Sequence, residues 1–271
     1  MKTILKSLCS ALLMYSRIPA PKVEWKDENR RYALCFFPVI GAVVGGLMWG
    51  WHLLCEYVAI GQLLKAAVCC IIPIIVCGGI HLDGFCDVID AQGSHQSRER
   101  KLEIMKDPHT GSFAMIGLCV YFILQFGLFS EIMYSEAVGV VCVGYVLSRS
   151  LSGLCAMTFK SARTNGALAS FTNVSHKRVC IIVLSLITAA ACVGMLLIEP
   201  FFGAFGIAAA GLAFLFYRIF AYRQFGGVTG DLAGFFLQIC EIAILAAVIA
   251  SQYLFPAAEF YPQYKFDYFM F

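Results

Sequence analysis

Three aspartates define the chemistry open to this sequence. Asp83, Asp87 and Asp90 follow one another at spacings of four and three within residues 78–114, GGIHLDGFCDVIDAQGSHQSRERKLEIMKDPHTGSFA. On a helix turning about 100° per residue they stand at roughly 0°, 40° and 340°, so one face carries all three. Glu99, Glu103 and Asp107 bring the segment to six of the chain's 17 acidic residues, beside a long apolar run. Carboxylates so crowded repel one another, and a divalent cation relieves the repulsion. Oxygen donors suit Mg²⁺, which takes carboxylates, water and substrate phosphate in preference to soft or nitrogen ligands. Asp83, Asp87 and Asp90 are therefore the expected metal ligands. A solvated acidic helix face is the plainer explanation of the same charges. Two neighbours weigh against it: His81 is a candidate acid or base, and Gly84 lets a phosphate or another backbone come close.

Residues 98–107 alternate in sign. Helical ion pairs, each worth about a few tenths of a kcal/mol, explain that pattern structurally. The chemical reading has Arg98, Arg100 and Lys106 gripping phosphate oxygens, while Glu103 and Asp107, four apart, face the metal or an attacking hydroxyl. Three other stretches repeat the mixture. Ser16-Arg17-Ile18-Pro19-Ala20-Pro21 is a rigid turn bearing a cation, and Arg163-Thr164-Asn165-Gly166 sets a guanidinium beside a flexible glycine. Gly226-Gly227-Val228-Thr229-Gly230-Asp231 opens a helix, where Asp231 either caps the first turn or lends its charge to the site. Glu241 lies about 15 Å further along that helix. An acid at that depth is functional by default unless it is paired, and Arg149 is the available partner.

These groups need a scaffold, and the composition specifies a membrane one. Of 271 residues, 60% are hydrophobic and 14% charged, with mean hydropathy +0.79; soluble domains are about a quarter charged. Too few polar side chains remain to coat a water-soluble body of this mass. High hydrophobicity without periodic glycine or proline also excludes disordered and collagen-like chains. Apolar runs at 33–55, 66–80, 113–130, 137–159, 179–198, 203–221 and 234–255 predict about seven transmembrane helices, most near the ~20 residues that cross a ~30 Å hydrocarbon core. The expected fold is all-α, a polytopic integral membrane helical bundle forming one catalytic domain over residues 1–271. Its second run is the weakest, being short, interrupted by Pro73 and ended by Gly78-Gly79, which predicts a broken or shallow helix.

Charge placement gives a direction. Lys and Arg number seven in residues 1–31, four in 81–112, four in 160–178 and two in 218–233. The alternate connections and the tail hold only Lys65 and Lys265, and Arg149 lies inside a run. The positive-inside bias puts the N-terminus and every motif-bearing connection in the cytoplasm and the C-terminal tail outside. Residues 1–15 lack a small-residue cleavage pattern and read as an amphipathic membrane-surface segment instead of a signal peptide. The 13 cysteines form no CxxC pair and lie mostly in apolar runs, as small hydrophobes.

Taken in chain order, these motifs resemble those of the cobalamin synthase family, the membrane enzymes of late vitamin B12 assembly also called adenosylcobinamide-GDP ribazoletransferases. The likeness is carried by Ser16-Arg17-Ile18-Pro19 with Pro21, by Phe37-Pro38-Val39-Ile40-Gly41 with Gly45, and by Gly78-Gly79-Ile80-His81-Leu82-Asp83-Gly84 with Asp87 and Asp90. It continues through Arg98, Arg100, Glu103, Ile104, Met105, Lys106, Asp107 and Gly111, then Arg149, Arg163 with Gly166, and Gly227, Thr229, Gly230, Asp231 and Glu241. Departures are small: Ser16 stands where Thr is usual, and Phe235-Phe236-Leu237-Gln238 replaces a more polar stretch. The resemblance implies transfer of phosphocobinamide from adenosylcobinamide-GDP to α-ribazole or its 5′-phosphate, releasing GMP with Mg²⁺. It implies a multi-pass protein of the bacterial cytoplasmic (inner) membrane with its active site facing the cytoplasm. A homo-oligomer is compatible with that picture, and no nucleic-acid partner is expected.

On this reading His81, Glu103, Asp107 and Asp231 serve catalysis. Arg17, Gly84, Arg98, Arg100, Lys106, Arg163 and Thr229 bind substrate, and Asp83, Asp87 and Asp90 hold the metal. The Asp-Gly-x-x-Asp-x-x-Asp spacing also looks like the metal motif of CDP-alcohol phosphotransferases, but Cys86-Asp87 occupies the region where that family has Ala-Arg. An ion-coupled transporter is the other alternative, with Asp83, Asp87, Glu241 and Arg149 carrying the ion. It calls for charge at the midplane and often for repeated halves, whereas here most charge lies on one face and no repeat is visible.

Overall fold

The apolar runs become helices that reach from one end of a bundle to the other. The computed structural model describes residues 2–163 and 166–254. Thr164, Asn165 and the tail from residue 255, with Lys265 and the end of the last predicted run, lie outside the described residues. Helix α1 (Lys2–Tyr15) and the single turn α2 (Asp27–Arg30) lead through a 3₁₀ turn at Ala33–Phe36 into α3 (Phe37–Val58). Then come α4 (Gln62–Cys77), α5 (Ile80–Gly93), α6 (Arg98–Ile104), α7 (Ser112–Ser130), α8 (Ser135–Thr158) and α9 (Ala167–Thr172). Helices α10 (Lys177–Ile198), α11 (Pro200–Phe225) and α12 (Gly230–Leu254) complete the order. Among the described residues there is no strand, only a one-residue bridge between Ser161 and Val228.

Six helices, α3 with its lead-in, α7, α8, α10, α11 and α12, are long and apolar enough to cross a bilayer. Helix α4 joins α5 at a bend of 98°, and that pair makes a seventh candidate span. The chain is thus the expected all-α, multi-pass bundle. The break is not at Pro73, which α4 passes through without interruption. It falls at Gly78 and Gly79, whose φ angles of 65° and 78° favour glycine over any side-chain-bearing residue.

Contacts between connections sort the helix ends into two groups. At one end the Arg30 guanidinium donates to the Ser170 carbonyl, His176 N–H donates to the Arg31 carbonyl, and the Arg98 guanidinium donates to the Tyr222 and Arg223 carbonyls. A backbone hydrogen bond from Val228 N–H to the Lys160 carbonyl joins the two pairs, so all four basic connections meet there. At the other end Lys65 pairs with Glu56, Gln62 donates to the Phe129 and Ile132 carbonyls, and Gln252 accepts from Met133 N–H. Helix α4 starts among the second group, and the Val76 carbonyl near its end accepts from Arg17 N–H of the first. It therefore runs from one end of the bundle to the other, in keeping with the charge alternation.

Helices α8 and α12 form the centre, and leucine and isoleucine side chains of α7, α10 and α11 such as Ile123, Leu186 and Leu212 face outwards. Helix α3 lies close on α8 because a Cβ at Gly41 or Gly45 would stand 2.2 Å from the Tyr145 carbonyl oxygen or 2.4 Å from that of Cys142. Small residues one turn apart permit such close crossing in lipid. Deep between α8 and α12, Arg149 Nη1 meets Glu241 Oε1 at 2.7 Å, with Ser148 donating to the same oxygen at 3.0 Å. Arg149 also donates to the Tyr145 carbonyl and faces the Cys77 sulfur. All 13 cysteines are free thiols, and ten are buried, as their apolar settings predict.

Candidate active site

Helix α5 turns Asp83, Asp87 and Asp90 to one side, as the spacing predicts. Their fates differ. Asp83 is exposed at the bend, and Asp87 is half-buried with Asp83, Asp90 and Asp231 as repelling neighbours and Arg163 as the opposing cation. Asp90 is held elsewhere: its two carboxylate oxygens accept the backbone N–H groups of Gly111 and Ala114. It thereby caps α7, whose own N-cap, Gly111, has no side chain to do so. Asp90, expected as a metal ligand beside Asp83 and Asp87, has both carboxylate oxygens engaged by the start of α7.

The fourth carboxylate arrives on α12. Helix α11 ends at Gly226, and Val228 then exchanges backbone hydrogen bonds with Lys160 and Ala162, tying the two loops together. Thr229 caps α12, its hydroxyl accepting Leu232 N–H at 3.2 Å. Asp231 is therefore not the cap, and its side chain turns to Arg163 and the Thr229 hydroxyl. Arg163 Nη1 lies 3.4 Å from Asp231 Oδ2, and Arg163 Nη2 donates to the Leu102 carbonyl at 2.6 Å. One guanidinium thus joins α6, the residue 160–166 loop and α12. Gly84 brings α5 against this turn, since a Cβ there would stand 2.7 Å from the Asp231 carbonyl oxygen.

Other expected residues are placed differently. Arg98, expected to grip phosphate, donates to the carbonyls that end α11, a good position for a cation at a helix C-terminus. Arg100 pairs with Glu103 at 2.8 Å, both exposed. Asp107 lies beyond the end of α6 at Ile104, so Glu103 and Asp107 do not share a helix face. Its carboxyl pairs with His109, whose backbone and ring N–H groups hold it below the usual carboxylate range. Lys106 is exposed, and Arg17 lies across Gly78 at the bend. His81 is buried against the Phe37 ring, its Nε2 without a hydrogen-bond partner among the described residues. Lys101, passed over in the sequence, is buried and donates to Gln92 and Gln224 at 3.0 and 2.7 Å, bracing α5, α6 and α11. Burial lowers its pKa.

Two hollows adjoin the carboxylates. A cavity of about 130 Å³ lies between α1, α5, α8 and α12, reached by Asp83 and Asp231 on its polar side and walled by Tyr15, Phe37, Ala156 and Leu237. A groove of about 830 Å³ runs between α1, the α4–α5 bend and α7, with Arg17 and Asp83 at its edge. Among the described residues no three His, Cys, Asp or Glu side chains close on a point that would hold a metal by themselves. Oxygen donors on two helices, with one cation among them, nevertheless fit Mg²⁺, which keeps several waters and binds through one or two carboxylates plus substrate phosphate.

The family model described as cobalamin-5-phosphate synthase matches residues 7–249. An adenosylcobinamide-GDP ribazoletransferase of Lachnoclostridium phytofermentans is 46% identical over 247 residues, covering 91% of this chain and 94% of its own. Proteins of the same name from Clostridium botulinum and Stutzerimonas stutzeri are 33% and 31% identical, covering 89% and 90% of this chain and 96% and 95% of theirs. No solved structure matches the chain.

Proposed function

The chain belongs to the cobalamin-5-phosphate synthase family, and from that premise we propose that it acts on the substrates its relatives' name states. It is an adenosylcobinamide-GDP ribazoletransferase: it transfers the phosphocobinamide group of adenosylcobinamide-GDP to α-ribazole or its 5′-phosphate and releases GMP. The observation that carries the chemistry is the meeting of Asp83 and Asp87 on α5 with Asp231 on α12, around Arg163. A pyrophosphate is cleaved when a hydroxyl oxygen forms a bond to one phosphorus and the nucleoside monophosphate departs with the electrons of the broken P–O bond. That step calls for positive charge on the phosphates, fixed orientation and an acceptor for the hydroxyl proton.

Asp83 and Asp87 would hold Mg²⁺, which would supply positive charge against the phosphates. Arg163, fixed by Leu102 and Asp231, orients a phosphate oxygen, and the exposed Arg17, which lines the groove with Asp83, reaches an outer one. Asp231, released from capping by Thr229, accepts the hydroxyl proton. The site faces the cytoplasm of a bacterium, on the end where the basic connections gather, and the membrane is the cytoplasmic one. The test is GMP release from adenosylcobinamide-GDP by purified protein. Release that requires both α-ribazole and Mg²⁺ supports this function; release indifferent to α-ribazole, or none, refutes it.

A further inference from the structure

We propose that the cavity between α1, α5, α8 and α12 receives the bicyclic heteroaromatic base of the acceptor nucleoside. The proposal rests on the acceptor reading above and deepens it by giving the base a place. The cavity shares Asp83, Gly84 and Asp231 with the carboxylate site, so a base seated in it leaves its ribose beside the groups assigned to the transfer. Its walls are apolar and aromatic, with the rings of Tyr15 and Phe37 4.8 Å apart. Flat aromatic ligands gain most from such walls. One polar demand is built in: His81 lines the cavity and also the adjoining hollow beside Arg149 and Gln238, and it is buried with its Nε2 without a partner among the described residues. Leaving such a group unpaired is costly, and a ligand bringing one matching nitrogen removes the cost.

These features select among the ring systems in the reaction. A benzimidazole joined to ribose through one nitrogen has apolar faces and a single remaining ring nitrogen, an acceptor that suits an N–H of His81. Guanine would bury several donors and acceptors here against walls that answer few of them. A corrin macrocycle exceeds about 130 Å³. The base of the acceptor is the ring that fits.

The test compares ribosides of dimethylbenzimidazole and unsubstituted benzimidazole as acceptors for the full-length protein. Ala156→Leu shortens the cavity and Leu237→Ala lengthens it, and each shifts the kcat/KM ratio between the two acceptors, in opposite directions. One or two methyl groups in an apolar pocket are worth about tenfold, so a change of about that size is expected while KM for the GDP donor moves by less than about twofold. Equilibrium dialysis of the labelled dimethylbenzimidazole riboside reads the cavity without turnover, and Ala156→Leu weakens its binding by about tenfold. Should Ala156→Leu fail to accumulate, Leu237→Ala decides through the ratio alone. An unchanged ratio in the folded variants, or equal loss for donor and acceptor, overturns the proposal. A wild-type protein that binds the riboside but releases no GMP overturns the functional reading and leaves the base site standing.

Discussion

Gly84 on α5 rests directly on the backbone of Asp231 in the first turn of α12, where a Cβ would lie 2.8 Å from the Asp231 Cα. Backbone cannot swing aside as a side-chain end can, so Gly84→Ala must push the two helices apart. Overpacking of this kind costs about 1–3 kcal/mol. It also separates Asp83 and Asp87 from Asp231, and a displacement of about 1 Å at a reacting centre costs on the order of a hundredfold in rate. Gly84→Ala is expected to lower both Tm and GMP release. Gly46→Ala on α3, where a Cβ meets nothing within 4 Å, is expected to leave both near wild type. Equal effects at the two positions would remove the special status of the contact.

Thr229 and Asp231 divide two roles that either residue type can fill. The Thr229 hydroxyl takes Leu232 N–H, so Thr229→Ala should lose about 1 kcal/mol of stability, read as a lower Tm. Asp231→Asn keeps the cap and the volume, and should keep the Tm while turnover falls by about a hundredfold or more, as removal of a catalytic proton acceptor does. An Asp231→Asn protein with near-normal GMP release would leave the proton acceptor to be found elsewhere.

The sequence made the scaffold legible and the division of labour less so. Uninterrupted apolar runs predict α7, α8, α10, α11 and α12 to within a few residues because a bilayer forces backbone groups to be satisfied within the helix. Pro73 misleads for the same reason: surrounding helices can satisfy what a proline frees, so the glycine pair after it is the true break. A helical wheel groups Asp83, Asp87 and Asp90, yet it cannot show that the bare N-terminus of α7 lies over the last of them. Thr229 and Asp231 are both cap-forming types two residues apart, and the start of α12, which decides between them, is the part of a helix that sequence fixes least. The end of α6 was available: Pro108 discourages helix at Asp107, which already parts it from Glu103.

The buried Arg149–Glu241 pair is expected to govern folding. With side chains 1% and 5% exposed, neither charge has water to fall back on. Breaking such a pair from one side costs about 3–5 kcal/mol, whereas replacing both partners with apolar residues of similar volume is often neutral. Glu241→Leu and Arg149→Met should each reduce the amount of folded protein in the membrane, and the double variant should restore most of it. A double variant no better than the singles would give the pair a role beyond mutual neutralisation.

Topology gives a prediction independent of activity. The basic connections share one end of the bundle, and the helix ends carrying Glu56, Lys65 and Glu131 share the other. Reporter fusions at residues 100 and 170 should both report cytoplasm, and one at residue 133 the outside. A signal from outside at residue 100 or 170 would separate loops that the site requires together.

Metal dependence should separate the three aspartates of α5. Asp83 and Asp87 are assigned to Mg²⁺ and Asp90 to the N-terminus of α7, although all three stand on one helical face. Asp83→Asn and Asp87→Asn remove a charge from the metal site without removing a packing contact, so the Mg²⁺ concentration giving half-maximal GMP release should rise by about tenfold or more while Tm holds. Asp90→Ala leaves Gly111 and Ala114 N–H groups without their acceptor. It should lower Tm by an amount corresponding to about 1–2 kcal/mol and leave the Mg²⁺ midpoint where it was, provided the assay is run below the new Tm. Chelation of Mg²⁺ should abolish release by the wild type. If Asp90→Ala moves the Mg²⁺ midpoint as far as Asp83→Asn does, with Tm intact, all three aspartates belong to the metal and the capping assignment falls.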